Sequence, residues 1–120
     1  MVKAFLMSIL WFWRMELPPE ALNFGNRLEI IVYEKGSQSS TEFVDQTDPK
    51  YRSIMEFLAA NKKNWKQDTS SYAPDILVRG NGITLNCRKG NAIIYYTDNE
   101  KESLQFSSDT TSVSYCGLNQ

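Results

Sequence analysis

Tight turns divide the second half of the chain into short strand-like runs, and this pattern restricts the fold more than any other feature of the sequence. Ile83, Leu85 and Cys87 alternate strictly with polar residues, which is the period of a strand with one buried face. Glycine-rich turns flank this run at 80–82 and 89–91, and they favour hairpin connections over phosphate-binding loops. The sequence therefore predicts an antiparallel meander in this half of the chain.

Several other runs are rich in β-branched and aromatic residues and are also predicted to be strands. They lie at residues 27–34, 41–44, 75–79, 92–97 and 103–107, with a last short strand at 111–115 as an open alternative. The segment between the first two, residues 35–40, has the composition of a turn, so these two runs are expected to form a hairpin.

One helix is expected after Asp48. Thr47 or Asp48 can cap its first amides, and Pro49 suits the first helical position because its missing donor costs nothing there. The apolar residues that follow are spaced by three and four and form one stripe: Tyr51, Ile54, Met55 and Leu58, with Phe57 beside them. We therefore predict an α+β fold with a small antiparallel sheet of about five strands, in the order β-β-α-β-β-β, and one main helix packed on one face.

An apolar run near the N-terminus begins at Ala4 and ends at Trp13, interrupted only by Ser8. It is too short to span a bilayer, which takes about 20 apolar residues. Its length and the preceding Lys3 are typical of a secretory signal peptide, although no small-residue cleavage site follows. The alternatives are an interfacial anchor, a buried core element, and a true chain start at Met15. We expect an exported or membrane-associated protein of the periplasm or cell envelope, with the cytoplasm as the alternative.

The adjacent prolines Pro18 and Pro19 separate this run from the rest of the chain, because proline lacks an amide hydrogen and fixes φ. We expect a hydrophobic leader or anchor at 1–17, a linker at 18–26 and one α+β domain at 27–120. The 120 residues are 42% hydrophobic and 22% charged, which is the composition of one globular domain. The net charge of −1 argues against a nucleic-acid partner, since such proteins neutralise many phosphates.

The sequence contains no histidine, which excludes the usual serine and cysteine triads and removes the commonest metal ligand. We therefore expect no cofactor, no metal site and no enzymatic activity. Cys87 and Cys116 could form a disulfide in an exported protein, but Cys87 already fits the buried face of its strand. Nothing in the sequence fixes the distance between the two cysteines, so two free thiols are favoured.

Tyrosines and basic residues around the central hairpin are the best candidates for binding, since rigid amphipathic side chains are enriched at interfaces. Ordinary cross-strand packing is the alternative explanation for the tyrosines. The candidate partner-binding residues are Tyr72, Arg79, Arg88, Lys89, Tyr95 and Tyr96.

Together these features favour a small non-catalytic binding or inhibitory module, similar in kind to an immunity protein. Such a module would recognise a protein partner through a sheet face or an edge strand, and it could contact a membrane through the apolar run. The alternatives are a small hydrolase that uses carboxylates such as Glu42 and Asp45, and a structural subunit of an envelope assembly.

Overall fold

Seven strands and one long helix form in the part of the chain that the computed structural model describes, residues 15–98, 100–109 and 114–118. In chain order the elements are β1 (Arg27–Glu34), β2 (Ser37–Asp45), α1 (Pro49–Asn61), β3 (Lys66–Gln67), β4 (Ile76–Gly80), β5 (Ile83–Cys87), β6 (Ala92–Thr97) and β7 (Ser103–Ser108). The strands form one sheet in the spatial order β2-β1-β4-β5-β6-β7-β3, and all neighbouring pairs are antiparallel.

The predicted α+β class is confirmed, with an antiparallel sheet and one main helix, but the expected strand number and order are wrong. The sheet has seven strands rather than about five, and five of them rather than three follow the helix. The two-residue strand β3 is too short to leave a periodic signal in the sequence. It exists as a strand because Lys66 and Gln67 pair with β7.

The hairpin of β1 and β2 is tighter than the sequence suggests. Its turn consists of Lys35 and Gly36 alone, which have φ values of 52° and 81°, and β2 starts at Ser37. Two successive positive φ values are typical of a type I′ turn, whose twist matches that of the flanking strands. Residues 37–40 have a loop-like composition because nearly every side chain of β2 is exposed. The expected turn at 35–40 is therefore largely strand.

Helix α1 begins as predicted, at the Asp48-Pro49 pair. The Asp48 carboxylate accepts a hydrogen bond from the amide of Lys50 at 2.8 Å, which satisfies one of the free amides of the first turn. Ile54, Phe57 and Leu58 are buried against the sheet. The predicted apolar stripe thus faces the core.

The main core lies between α1 and the sheet face that the helix covers, which we call the helix face. Alternate side chains of the central strands point into it, and the predicted burial of Ile83, Leu85 and Cys87 is confirmed. Other core residues on this face are Leu28, Ile30, Ile76, Val78, Ile94, Tyr96 and Phe106.

Residues before β1 also pack on the helix face. Met15 and Trp65 form an antiparallel bridge, with amide-to-carbonyl distances of 2.6 and 3.2 Å. Ala21 and Phe24 are 0% and 2% exposed. The stretch 18–26, which the sequence suggests as a linker, therefore contributes side chains to the core.

A disulfide joins Cys87 to Cys116, so the expectation of two free thiols is wrong. Both cysteines are buried, and their Cα atoms lie 5.4 Å apart. The C-terminal segment returns to the end of β5, where the amide of Tyr115 donates to the carbonyl of Arg88 at 2.9 Å. The disulfide joins residues 29 positions apart, and no local sequence signal encodes it.

Two other expectations concern the chain ends. Ser114–Gly117 form a short helical turn, and the strand considered at 111–115 otherwise lies outside the described residues. The apolar run from Ala4 to Trp13 also lies outside them. Among residues 15–98, 100–109 and 114–118, no helix is both long and apolar enough to cross a membrane.

We expect reduction of the disulfide to lower the free energy of unfolding of the full chain by about 3 kcal/mol, because the bond restricts a loop of roughly 30 residues in the unfolded state. Urea unfolding with and without reductant measures the change. The double variant Cys87→Ser/Cys116→Ser is the control, and reductant should leave it unaffected. Equal stability of the oxidised and reduced wild-type chains would contradict the bond.

Candidate functional site

The sheet face opposite α1, here called the open face, is crossed by residues 68–75, which we call the strap. The strap connects β3, at one edge of the sheet, to β4 in its middle, so it has to pass β7, β6 and β5. It crosses on the open face because the helix and the N-terminal segment cover the other one. The route of the strap thus decides which part of the open face stays accessible.

Two side chains of the sheet hold the strap. Asn86 on β5 donates from Nδ2 to the carbonyl of Ala73 at 3.2 Å and accepts from the amide of Asp75 at 3.1 Å. Gln105 on β7 donates from Nε2 to the carbonyl of Ser70 at 2.7 Å. Asn86 lies on the face that the alternation predicts, yet it is only 1% exposed because the strap covers it. The side-chain amide of Asn86 therefore makes the hydrogen bonds to the strap's backbone amide and carbonyl that a neighbouring strand would otherwise make.

A second, smaller apolar layer lies on the open face. Ile31, Leu77 and Ile93 are at most 8% exposed. Ile31 on β1 lies opposite Leu77 on β4, and Asn86 on β5 lies between Leu77 and Ile93 on β6. The sheet is thus buried on both faces along this line, which explains why β1 and β6 carry consecutive apolar residues rather than a strict alternation.

Asp68 fixes the start of the strap. Its carboxylate accepts hydrogen bonds from the Tyr72 hydroxyl and from the amide of Ser70, the latter at 2.7 Å. Partial burial on its own would raise the pKa of Asp68, but the hydrogen bonds from Tyr72, Ser70 and Ser107 outweigh it and lower the pKa to about 2. Asp68 is therefore ionised at neutral pH and acts as an acceptor.

Tyr72 and Arg88, both predicted to bind a partner, contact each other at the strap. The Arg88 guanidinium lies 5.4 Å from the centre of the Tyr72 ring, and Arg88 Nε lies 3.6 Å from the Asp75 carboxylate. Both side chains are half-buried. The side chains of Tyr72 and Arg88 therefore help to hold the strap against the sheet.

Beside the strap, one line of side chains across the open face contains no buried residue, and we call it the exposed row. Each member pairs with the next across neighbouring strands. From the β2 edge the row consists of Phe43, Glu29, Arg79, Thr84, Tyr95 and Gln105.

Two clefts follow the exposed row and meet at Gly82 and Thr84, which line both of them. The first cleft, about 420 Å³, lies beside Tyr95 and is bounded by the start of the strap. The second, about 360 Å³, extends from Thr84 past Arg79 to Phe43. The two clefts are thus adjacent along the row from the strap to the β2 edge, and we refer to them together as the groove.

At the β2 end of this groove, aromatic and cationic groups are combined. Phe43 is 56% exposed, and among the residues that the structure describes it is the one large hydrophobic side chain that is exposed. The Arg27 guanidinium lies 4.2 Å from the centre of its ring, which is a cation–π geometry. Arg79 is also exposed, and its side chain makes no ion pair or hydrogen bond with any described residue. This end therefore offers a ring face and an unpaired guanidinium to a partner.

At the strap end of the groove, the chemistry is polar, and the ionised Asp68 carboxylate lies among uncharged hydroxyl and amide groups. Partial burial and the negative charge of Asp68 raise the pKa of the Tyr95 phenol, against a smaller opposing effect of Arg88. Tyr95 therefore keeps its hydroxyl proton at physiological pH. It lies between Thr84 and Gln105 in the row, so this end presents hydroxyl and amide groups.

The six predicted binding residues do not form one cluster. Arg79 and Tyr95 belong to the exposed row, whereas Tyr72 and Arg88 hold the strap. Lys89 is exposed in the turn between β5 and β6. Tyr96 is 5% exposed in the helix-face core, where its ring lies 6.1 Å from that of Phe106. As the sequence predicts for adjacent strand residues, Tyr95 and Tyr96 point to opposite faces.

Sequence reasoning missed Phe43, Arg27 and Glu29 as site residues. Phe43 was recognisable as a strand residue, but its exposure depends on β2 being the edge of the sheet. Strand order is a long-range property, and the only local signal was the polar composition of residues 37–42 around it.

The two carboxylates considered for hydrolysis make an ion pair and hydrogen bonds around the loop between β2 and α1. Glu42 pairs with the Lys50 ammonium group, and Asp45 accepts from the hydroxyl and amide of Thr47 at 2.6 and 2.9 Å. These Thr47 hydrogen bonds lower the pKa of Asp45. Among residues 15–98, 100–109 and 114–118, no three histidine, cysteine or acidic side chains are grouped as metal ligands.

Comparison with known proteins gives no significant match: no family model, no curated protein and no solved structure is similar to this chain.

We expect Asn86→Ala to lower the free energy of unfolding by about 2 kcal/mol, because it leaves the strap carbonyl and amide without their buried partner. Urea unfolding measures the loss, and hydrogen exchange at the Asp75 amide should become faster. Thr84→Ala is the matched control on the same strand and face, with an expected cost below about 1 kcal/mol. Equal costs for the two variants would contradict the role of Asn86.

We expect Asp68 to stabilise the fold at neutral pH and to lose this effect in acid. Its pKa of about 2 in the folded state lies below the usual 3.8, so the unfolded chain binds protons more readily as the pH falls. Asp68→Asn should therefore be less stable than wild type by about 1 kcal/mol at neutral pH. Urea midpoints of both proteins should converge as the pH falls from about 4 towards 2. A difference that stays constant over this range would contradict the prediction.

Proposed function

We propose that this protein is a small non-catalytic module that binds a protein partner through the β2 end of the exposed row. The observation that carries the proposal is the exposed Phe43 ring, which lies on the open face with Arg27 stacked on it and Arg79 unpaired in the same groove. Aromatic residues and arginine are enriched in the energetically dominant parts of protein interfaces. An immunity-like inhibitor that covers the active surface of another protein is one form that such a module takes.

The charges of this end favour a partner with acidic side chains. Arg27 and Arg79 both line the cleft. The acidic residue in its lining is Glu29, which lies two residues after Arg27 on β1 and directly opposite Arg79 on β4. A partner carboxylate can pair with Arg79 in a bidentate geometry, while an apolar side chain covers Phe43. We therefore expect the partner surface to combine an apolar anchor with one or more carboxylates.

The edge strand β2 supports the same surface. It contains nine residues, lies at the end of the sheet, and pairs only with β1 among the described residues. An exposed edge of this length can accept an extended segment of a partner through main-chain hydrogen bonds. Because Phe43 belongs to β2, such a segment would lie directly beside the exposed ring.

We also propose that the protein is exported or membrane-associated. The apolar run that ends at Trp13 supports this location, and the disulfide between Cys87 and Cys116 is compatible with an oxidising compartment. Hydrolysis is not part of the proposal, because Glu42 and Asp45 are each engaged in the loop before α1.

The proposal predicts that capture of a partner depends on the β2 end of the row. Immobilised full-length protein would be used to capture partners from membrane extracts of the source cells, with Phe43→Ala and Arg79→Ala as test variants. Each substitution should weaken retention of the wild-type partner about tenfold or more, as expected for central interface residues. Quantitative mass spectrometry of the eluates measures the retention.

Arg52→Ala provides the matched control, since Arg52 is exposed on α1 and makes no contact with the open face. This variant should retain the partner as wild type does. Retention that is unchanged in Phe43→Ala and Arg79→Ala would remove the exposed row as the interface. Recovery of a large assembly of this chain alone would favour the structural-subunit alternative.

A further inference from the structure

The first of the two clefts, beside Tyr95, is here called the tyrosine cleft. Its floor includes the cross-strand pair of Tyr95 and Gln105, and Thr97 lies next to them on β6. Thr84 lies opposite Tyr95 on β5. Gly82, in the turn before β5, contributes no side chain, and a Cβ atom added there would meet no atom within 4 Å. The small residues around Tyr95 thus leave space beside its ring.

The ring of Tyr95 is available to a ligand. Two other tyrosine rings are engaged within the protein, Tyr72 by the Arg88 guanidinium and Tyr96 by the ring of Phe106. Tyr95 makes no ring stacking or cation–π contact with any described residue, and its side chain is only half-buried. A rigid ring with an apolar face and a terminal hydroxyl suits a ligand that is itself amphipathic.

Around the ring, polar side chains carry unused hydrogen-bonding groups. The hydroxyls of Thr84, Tyr95 and Thr97 make no hydrogen bond with any described residue. Gln105 donates from Nε2 to the carbonyl of Ser70 at 2.7 Å, which fixes its amide group and leaves the oxygen as an acceptor. Hydroxyl groups both donate and accept, so this lining matches a ligand that carries several hydroxyls.

Asp68 is the charged residue in the lining of the tyrosine cleft, and its pKa of about 2 keeps it ionised at neutral pH. The negative charge repels an anion from the cleft. A carboxylate has about four acceptor sites, and hydrogen bonds from Tyr72, Ser70 and Ser107 occupy most of them. Asp68 therefore has little capacity left to bind a cation.

Other charged groups near the cleft are paired or lie outside its lining. Arg88, whose positive charge acts on the phenol of the cleft, lies 3.6 Å from the Asp75 carboxylate. The acidic residues that follow β6, namely Asp98, Glu100 and Glu102, do not line the cleft. These carboxylates add to the repulsion of anions, but they offer no ligand group inside the cleft. The lining is therefore best matched to an uncharged ligand.

We propose that the tyrosine cleft binds a neutral saccharide, with one sugar ring packed on Tyr95 and its hydroxyls bonded to the polar side chains around it. A pyranose has an apolar face of C–H groups and a rim of hydroxyls, which complements a phenol ring among hydroxyl and amide groups. The cleft volume of about 420 Å³ lies within the range of roughly 300–1,000 Å³ for small-molecule sites.

An extended peptide fits the tyrosine cleft less well. Its main-chain groups pair best with a free strand edge, whereas β6 already has a neighbouring strand on each side. The saccharide site is also separate from the proposed partner surface, because Phe43 lines the other cleft. The two sites can therefore be tested independently.

Titration of the full chain with disaccharides, followed by amide NMR spectra, tests the inference. The neutral probes are cellobiose, maltose and N,N′-diacetylchitobiose, and the charged probes are the amine-bearing chitobiose and digalacturonic acid. At least one neutral probe should shift the amides of residues 84, 95 and 105 saturably at millimolar concentration, and both charged probes should bind more weakly. The inference would be overturned if no neutral probe shifted these amides, or if a charged probe bound more tightly than every neutral one.

Substitutions in the cleft identify the groups that bind. Tyr95→Ala should weaken binding of the neutral probe about tenfold, because the ring face is lost. Thr97→Val keeps the shape of an exposed side chain and should weaken binding about threefold, because one hydrogen bond is lost. Urea unfolding shows whether each variant is folded, and Thr97→Val decides the question should Tyr95→Ala be unfolded.

Phe43→Ala is the matched control, since it removes an exposed ring from the same face but outside the tyrosine cleft. This variant should bind the neutral probe as wild type does. Unchanged binding in the folded cleft variants would overturn the inference, and so would an equal loss in Phe43→Ala.

Discussion

The arrangement of this molecule depends on the crossing of the strap over the open face. Helix α1 covers one face of the sheet, and β3 forms at the far edge, so the chain can return to β4 only over the opposite face. The buried amide of Asn86 holds this crossing by bonding to both an amide and a carbonyl of the strap. A buried polar side chain with both groups satisfied fixes one arrangement, because a shift of the strap would leave these groups unpaired.

The strap also connects the packing of the domain to its accessible surface. It lies over Asn86 and leaves the adjacent row, two residues away along each strand from the line of Ile31, Leu77, Asn86 and Ile93, in contact with solvent. Tyr72 and Arg88 belong to the covered side because their ring and guanidinium hold the strap. The groove beside Phe43 and Arg79 lies outside the area that the strap covers.

Local signals in the sequence were sufficient for most of the elements but not for their neighbours in space. The capping of α1 by Asp48 and the alternation around Leu85 involve residues a few positions apart, and both were predictable. The strand β3, the Cys87–Cys116 bond and the burial of Asn86 each depend on contacts between distant segments. The same limit applies to the site: Arg79 and Tyr95 could be nominated as strand residues, whereas the exposure of Phe43 required the strand order.

The two edges of the sheet differ in a way that bears on function. The β3 edge is short, carries Lys66 and is bridged by Met15, which are features that limit pairing with other chains. The β2 edge is nine residues long and contains neither proline nor lysine, and its acidic Glu42 is already paired with Lys50. Apart from a bulge opposite Val32 and Tyr33, the β2 edge carries none of these protections, and an open edge next to an exposed aromatic ring favours aggregation unless a partner covers it. The difference between the two edges supports the proposed partner surface at β2 independently of the charges beside Phe43.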